Sequence, residues 1–171
     1  DRVPGIHPKI RTVPDIQSAK DSTVPSTANT AHPFCKKEEL RLCSGLFMGS
    51  GTRFGNMAAQ LKYFLDSTAD IWSSNQLEGK PASVFCSSSS MHGGQESTLL
   101  SMMIPLLHHG MVITGVPYSV GELGVTRTGG SPYGPSHVTG EGKTFVKLSR
   151  DEVVIARKAG ERIARLALNL S

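Results

Sequence analysis

A short apolar run that ends in a glycine-rich polar loop and continues as a helix occurs twice in succession in this chain. The first unit is the run 45–49, the loop 51–57 and a helix whose apolar residues recur at spacings of three and four. The second unit is the strand-like run 81–86 and the polar turn 87–94, followed by an amphipathic helix. Strands that alternate with such helices form a parallel sheet, and open α/β folds bind ligands at its carboxyl edge. We therefore predict a binding site in these two loops.

Two more apolar segments continue the pattern. Residues 111–116 are nearly all apolar, which is typical of a central parallel strand covered on both faces. The segment 136–139 is predicted to be the last strand. Ser149 and Glu152 form a capping box, after which an apolar stripe at helical spacing predicts a terminal helix. The order of these elements predicts an α/β, doubly wound parallel sheet of the flavodoxin type.

The remaining segments are predicted to be less regular. Residues 9–13 alternate like an edge strand, and residues 14–33, rich in Ser, Thr and Pro, are predicted to be a surface excursion or a mobile loop. The stretch 117–147 is rich in glycine and proline and is predicted to be a long loop or lid. Pro105, inside the predicted helix 95–109, is expected to kink or split it.

Length and charge limit the possible functions. A chain of 171 residues is predicted to form one domain, 1–171, with a core that needs neither disulfides nor metal. Its net charge is +4, from 18 Lys and Arg against 14 Asp and Glu. Apart from Lys36 and Lys37 and the last helix, the basic residues are dispersed. No nucleic-acid partner is therefore expected.

The cysteines and the hydropathy indicate the compartment. Cys35, Cys43 and Cys86 are an odd number without the spacing of a metal or redox motif, so free thiols in a reducing cytosol are expected. We accordingly predict a cytoplasmic protein without a bound metal. No apolar stretch is long enough to be a membrane span, and no charged-then-apolar signal opens the chain.

Several motifs match one known family in order. They are 52–57 (TRFGNM), 64–66 (FLD) followed by Trp72, 92–96 (HGGQE), 108–112 (HHGMV) and 129–134 (GGSPYG). On these motifs the chain resembles the WrbA family of flavodoxin-like NAD(P)H:quinone oxidoreductases. The resemblance runs from about residue 9 to the C-terminus.

The resemblance implies an activity and an assembly. Proteins of this family hold FMN, take a hydride from NADH or NADPH and pass two electrons to a quinone. They are usually homotetramers. The expected function is therefore that of an FMN-dependent NAD(P)H dehydrogenase (quinone), in which the flavin carries the chemistry and the protein binds and tunes it.

The resemblance also implies which residues bind the cofactor. Two loops would contact the flavin ring, and their residues are Thr52, Arg53, Phe54, Gly55 and Asn56 in the first and Ser88, Ser89, Ser90, Met91, His92 and Gly93 in the second. Reduced flavin carries negative charge near N1 and O2, so an arginine or oriented N–H groups in these loops would stabilise it. Glycines let the backbone come close to the ring.

Two residues outside the loops are matched as well. Trp72 matches an aromatic residue that lines the nicotinamide or quinone site, where an indole face offers a stacking surface. His108 matches a histidine beside the flavin and is the candidate catalytic residue. The alternatives are that Trp72 is a core aromatic, that His108 is a helix-end histidine favoured by the dipole, or that His109 is the histidine that matters. Arg53, similarly, can be an ordinary surface arginine.

The start of the chain departs from the family. Family members open with a central strand, a loop that holds the FMN phosphate and a long helix, all before the segment that matches residues 9–13. We therefore expect that this chain lacks part of a longer functional protein. The alternative function is a truncated flavodoxin-like remnant without FMN or activity, acting as a structural or interaction module. A regulatory module that binds nucleic acid has no supporting pattern in the sequence.

Overall fold

A parallel sheet of four strands organises the chain in the computed structural model, which describes residues 3–16, 32–140 and 146–170. In chain order the elements are α1 (Lys37–Leu42), β1 (Leu46–Gly51), α2 (Ala59–Asp66), α3 (Ala69–Ser73), β2 (Pro81–Ser88), α4 (Gln95–His108), β3 (Val112–Ile113), α5 (Glu122–Val125), β4 (Ser136–Val138) and α6 (Arg150–Asn169).

Strand β2 is the centre of the sheet. On one side it pairs with β1 along its length, from Leu46 opposite Ala82 to Gly51 opposite Ser87. On the other side it pairs with β3 at its start and with β4 at its end. All three pairings are parallel, which confirms the predicted parallel sheet.

The outer edge of β1 pairs with no strand of the described residues. The predicted edge strand 9–13 is wrong as a strand, because only an isolated bridge between Thr12 and Phe34 forms there. Two backbone bonds hold that bridge, from the Thr12 N–H to the Pro33 oxygen and from the Cys35 N–H to the Thr12 oxygen. The N-terminal segment is therefore tied to the residues just before α1 and not to the sheet.

The predicted central strand 111–116 is also corrected. Only Val112 and Ile113 form β3, and Val112 is 46% exposed, so this strand is an edge of the sheet. The chain leaves the sheet after the Thr114 N–H bonds the Ala82 oxygen at 2.8 Å. Val116 is apolar for another reason, since it is buried in the small cluster beneath α6. The segment that returns to the edge of β2 is β4, as predicted.

Helices cover both faces of the sheet. On one face α2 and α4 bury a cluster that contains Leu61, Val84, Leu99 and Met102. On the other face Ile155 of α6 packs with a smaller group around Val116. Each fully buried Leu, Ile or Met side chain stabilises the fold by about 1.5–3 kcal/mol.

Pro105 does not split α4. The helix runs unbroken from Gln95 to His108, and the proline lies in its last turn. A proline in the last turn has no N–H to donate to the carbonyl four residues earlier, so the helix loses one internal hydrogen bond but does not end there. Here the Pro105 oxygen accepts the His109 N–H at 3.1 Å.

The two irregular segments have different outcomes. Most of the predicted excursion 14–33, namely 17–31, lies outside the described residues. In the predicted lid 117–147, residues 141–145 also lie outside them, but the rest contains α5 and β4. This part packs closely, because a Cβ added at Gly134 would lie 2.2 Å from the Val84 oxygen. Within the described ranges, no helix has the length and apolarity needed to cross a bilayer.

Candidate functional site

The loops that follow β1 and β2 meet at the carboxyl edge of the sheet. The Thr52 N–H donates to the Ser87 oxygen at 2.7 Å, which extends the pairing of the two strands by one bond. The buried hydroxyl of Thr98, in the first turn of α4, donates to the Thr52 hydroxyl at 3.2 Å. The two predicted cofactor loops are therefore neighbours, and their positions are fixed by the same three elements.

The first loop is a tight turn around Phe54 and Gly55. Arg53 and Asn56 exchange two backbone hydrogen bonds of 2.8 and 3.0 Å, and φ is 50° at Phe54 and 74° at Gly55. Positive φ at both central residues is the pattern of a type I′ turn. A phenylalanine rarely takes this conformation, and such backbone strain concentrates at functional sites. The Phe54 ring is fully exposed.

The second loop is held by one carbonyl group. The Ser90 oxygen accepts from the Ser88 hydroxyl at 2.7 Å, from the Gln95 side-chain amide at 2.9 Å and from the Gly93 N–H at 3.2 Å. Gln95 is buried at the start of α4; it belongs to the motif 92–96, but no role in the site was predicted for it. The Ser90 carbonyl and the Met91 N–H belong to one planar peptide group, so these bonds also fix the direction of the Met91 N–H.

This loop presents free backbone donors. The N–H groups of residues 89–92 donate to no other backbone group of the described chain. Ser89, Met91 and His92 are exposed, so these donors lie at the surface of the edge. The first turn of α4, a helix of 14 residues, lies directly behind them and adds the positive end of its dipole. The arrangement suits an electron-rich or anionic group.

Gly94 lets the two loops pack against each other. Its φ is 89°, and a Cβ built on it would lie 2.8 Å from the Cα of Gly55. Only glycine adopts this φ without strain and also leaves room for the opposing backbone. The contact joins the turn of the first loop to the start of α4.

Arg53 and Cys86, both at this edge, differ in how readily they can interact with a ligand. Arg53 is exposed and donates to its neighbour, the Thr52 oxygen, at 3.0 Å, but it makes no ion pair with a described residue. Cys86 lies beneath the loops, where burial raises the pKa of its thiol to about 11 despite a hydrogen bond from Thr52. A thiol that stays protonated is a poor nucleophile. Arg53 is thus a cation that this edge offers to a ligand, beside the exposed Glu96 in the first turn of α4.

A cavity of about 600 Å³ opens below the loops on the α6 side of the sheet. Its lining includes Gly51 and Ser87, at the ends of the strands from which the two loops start. Its wall includes Phe47 and Phe85, whose rings meet edge to face with centroids 5.0 Å apart. The cavity therefore combines an apolar wall with the polar end of the sheet.

Glu152 closes the far side of this cavity and is a hydrogen-bond hub. Its Oε1 accepts the N–H groups of Gly129 at 2.8 Å and Val138 at 3.3 Å. Its Oε2 accepts the Ser149 N–H at 2.7 Å, which confirms the predicted capping box, and lies 3.2 Å from His137 Nδ1. Burial by itself raises the pKa of this carboxyl, but these hydrogen bonds outweigh it and the pKa is lowered.

Trp72 and His108 lie away from the loops. Helix α4 runs back from the carboxyl edge, so its 14 residues place His108 about 20 Å from Gly94. Trp72, in α3, is 54% exposed and is therefore not a core aromatic. Within one chain the structure does not bring these two residues to the predicted flavin loops.

Both residues lie toward the opposite edge, on two helices that are joined by one contact. The Thr68 hydroxyl, just before α3, donates to the Leu65 oxygen and accepts from His109 Nε2 at 2.9 Å. This bond ties α3 to the end of α4. His109 is partly buried, and burial lowers its pKa. Since His109 is used in this contact and His108 is exposed, His108 is the more accessible of the two histidines.

Comparisons with known proteins bear on this edge of the sheet. Residues 26–123 match a family described as NADPH-dependent FMN reductase. A protein named NAD(P)H dehydrogenase (quinone) from Solidesulfovibrio magneticus is 41% identical, and the match covers 99% of this chain and 86% of that protein. A protein of the same name from Geotalea daltonii is 42% identical, with 98% and 85% covered.

A solved structure supports the fold. The crystal structure of the flavodoxin, WrbA-like protein from Agrobacterium tumefaciens superposes with a TM-score of 0.60. The two sequences are 21% identical, and the superposition covers 79% of this chain and 73% of the Agrobacterium tumefaciens chain. The predicted flavodoxin-like α/β class is confirmed.

Proposed function

Because the chain belongs to the NADPH-dependent FMN reductase family, we propose that it is an FMN-dependent NAD(P)H:quinone oxidoreductase. When bound, FMN accepts a hydride from NADH or NADPH and delivers two electrons to a quinone. The relatives that cover nearly the whole chain carry the name of this activity. The protein's own task is to hold the ring, exclude water from it and stabilise its reduced form.

The observation that carries the proposal is the row of N–H donors in the second loop that have no backbone acceptor among the described residues. Residues 89–92 offer these donors. The three hydrogen bonds to the Ser90 oxygen hold this loop in place before any ligand binds. A flavin ring has acceptors at N1 and O2, where negative charge collects on reduction. Preorganised N–H groups and the unpaired Arg53 suit that charge. The donor set therefore fits the ring of FMN.

The phosphate of FMN has no comparable partner in the described chain. In the flavodoxin pattern the first strand and the phosphate loop lie beside β1, along the outer edge that pairs with no strand of the described residues. We propose that a further strand binds this edge, that its loop holds the phosphate and that its following helix covers Phe47 and Phe85.

The site is proposed to be completed by a second copy of the chain in a homotetramer. Trp72 and His108 are exposed at the edge opposite the loops, so they can serve only the flavin of a neighbouring subunit. Three exposed apolar residues follow one side of α4 toward that edge, namely Leu100, Ile104 and Leu107. An exposed apolar stripe of this kind is typical of a subunit interface.

The first experiment is the absorption spectrum of the purified protein before and after addition of FMN, with a melting curve in parallel. We expect flavin bands that stay with the protein on gel filtration. We also expect the melting temperature to rise with FMN concentration, as binding linkage requires. The competing function, a remnant that acts only as a structural or interaction module, requires colourless protein whose melting curve FMN does not move.

Replacing Trp72 with Ala tests the substrate site. If the indole lines the nicotinamide or quinone site, we expect the quinone KM to rise about tenfold, which corresponds to the loss of one stacking contact. The FMN dissociation constant should change much less. Steady-state kinetics and an FMN titration measure the two quantities.

The matched control for Trp72 is Tyr63→Ala, since Tyr63 is also an exposed aromatic residue, on α2. We expect Tyr63→Ala to leave the quinone KM unchanged. Equal losses of quinone and FMN affinity in Trp72→Ala would mean that the indole supports the fold and not the substrate.

A further inference from the structure

The last helix carries a set of cations that the rest of the protein does not neutralise. On α6, Arg157, Arg162 and Arg165 are exposed, and none of them forms an ion pair with a described residue. Lys158 joins them and pairs only with its neighbour Glu161, at 3.2 Å. Lys158, Arg162 and Arg165 are spaced by four and three residues, so they share one side of the helix, which Arg157 flanks. We call these four residues the α6 cationic face.

Several cations elsewhere on the protein have acidic partners. Arg11 binds Glu39, Lys62 binds Asp66 at 2.5 Å, and Lys37 binds Asp70 at 3.0 Å. On α6 the buried side anchors the helix through Ile155, Ala159 and Ile163, and the arginines point away from it. Unpaired arginines on a firmly anchored helix leave an uncompensated positive surface.

We propose that the α6 cationic face binds the anionic headgroups of a lipid surface, with α6 lying flat on it. Guanidinium groups match phosphate geometry, and each basic residue near an anionic bilayer contributes about 1 kcal/mol. The end of α6 adds exposed apolar side chains, Leu168 and Leu170. A helix with a basic side and leucines at one end is suited to the boundary between headgroups and acyl chains.

The apolar end of α6 favours a lipid surface over nucleic acid. A phosphate backbone offers no apolar contact for Leu168 and Leu170, whereas a bilayer does. The docked orientation also leaves the flavin loops open, since they lie at the edge of the sheet and α6 covers its face. This inference goes beyond the proposed activity and does not depend on it. The two are compatible, because quinones are lipid-soluble.

The test is cosedimentation of the protein with vesicles of phosphatidylcholine alone and of phosphatidylcholine mixed with phosphatidylglycerol. We expect binding to the mixed vesicles only, and release as salt is added. The double variant Arg157→Gln/Arg165→Gln should bind the mixed vesicles about thirtyfold more weakly, the loss of two charges at about 1 kcal/mol each. Its melting temperature should match that of the unaltered protein.

The matched control removes two positive charges from another part of the surface. Lys9 and Lys36 are exposed near α1, so Lys9→Gln/Lys36→Gln lowers the net charge equally and should bind vesicles normally. Equal weakening by both double variants would overturn the proposal, because net charge and not the α6 face would then be responsible. Binding to neither vesicle, or to both alike, would also overturn it. So would tighter, salt-sensitive binding to a DNA duplex.

Discussion

Replacing Glu152 with Gln is expected to lower the free energy of unfolding by about 3 kcal/mol, because a buried carboxylate would lose half of its acceptor capacity. Glu152 is 3% exposed, and both of its oxygens receive N–H donors. An amide places an NH2 group against one pair of these donors. The side chain joins the Gly129 turn, the end of β4 and the start of α6, so all three lose support. Urea unfolding at pH 7 measures the effect.

The pH dependence of Glu152→Gln has a defined sign. The folded-state pKa of Glu152 is lowered, so its carboxylate contributes stability that is fully present above the unfolded pKa. That contribution is lost as the pH falls through the folded-state pKa. The difference between the unaltered protein and Glu152→Gln should therefore shrink as the pH is lowered from 7 toward the pKa of Glu152.

The control for this prediction is Glu161→Gln on the same helix. Glu161 pairs only with Lys158 near the surface, so its loss should cost less than about 1 kcal/mol. If Glu152→Gln and Glu161→Gln were equally mild, the hydrogen bonds of Glu152 would not stabilise the protein as argued.

Replacing Gly94 with Ala is expected to weaken FMN binding by at least about tenfold and to destabilise the protein by about 2 kcal/mol. A left-handed φ of 89° costs an alanine about 1–2 kcal/mol. The new methyl group would also meet the Gly55 backbone at 2.8 Å. The two loops then move apart and the donors of the second loop lose their alignment. FMN titration followed by fluorescence, together with thermal unfolding, measures both effects.

Gly160 provides the matched control. It lies inside α6, has no heavy atom within 4 Å of an added Cβ and has ordinary helical backbone. Gly160→Ala should therefore stabilise the protein by up to about 1 kcal/mol and leave FMN affinity unchanged. If Gly94→Ala bound FMN as tightly as Gly160→Ala, the contact between the loops would have no part in holding the flavin.

Strands β1 and β2, the loops that follow them and the start of α6 were predictable because their signals are local. Each of these elements is indicated by a pattern only a few residues long. The patterns are the apolar run before Gly51, the polar turn after Cys86 and the capping box at Ser149. The sequence did not show that β3 ends after Ile113, since an apolar run looks the same whether it continues in the sheet or enters another cluster. That difference depends on tertiary packing.

The candidate site was predictable only in part, for a similar reason. The two loops predicted to bind the cofactor were located from the sequence, and the structure brings them together at Gly94 and Gly55. Gln95 belongs to the motif 92–96, but that motif did not reveal its role, which is a bond to the Ser90 oxygen. His108 lies far from the loops of its own chain because α4 runs away from them. The family resemblance matched His108 to a residue beside the flavin, but it did not indicate whether that flavin belongs to the same chain.

The central position of β2 has a consequence for how the protein forms. Every strand of the described sheet pairs with β2, so β1 has no partner until β2 has been synthesised. The far side of β2 closes later still, because the Thr139 hydroxyl bonds the Ser88 oxygen across 51 positions of sequence. Contacts of such long sequence separation slow folding. Until β4 arrives, one edge of β2 is exposed beyond β3, and this is the interval in which a nascent chain is most open to pairing with a second copy of itself.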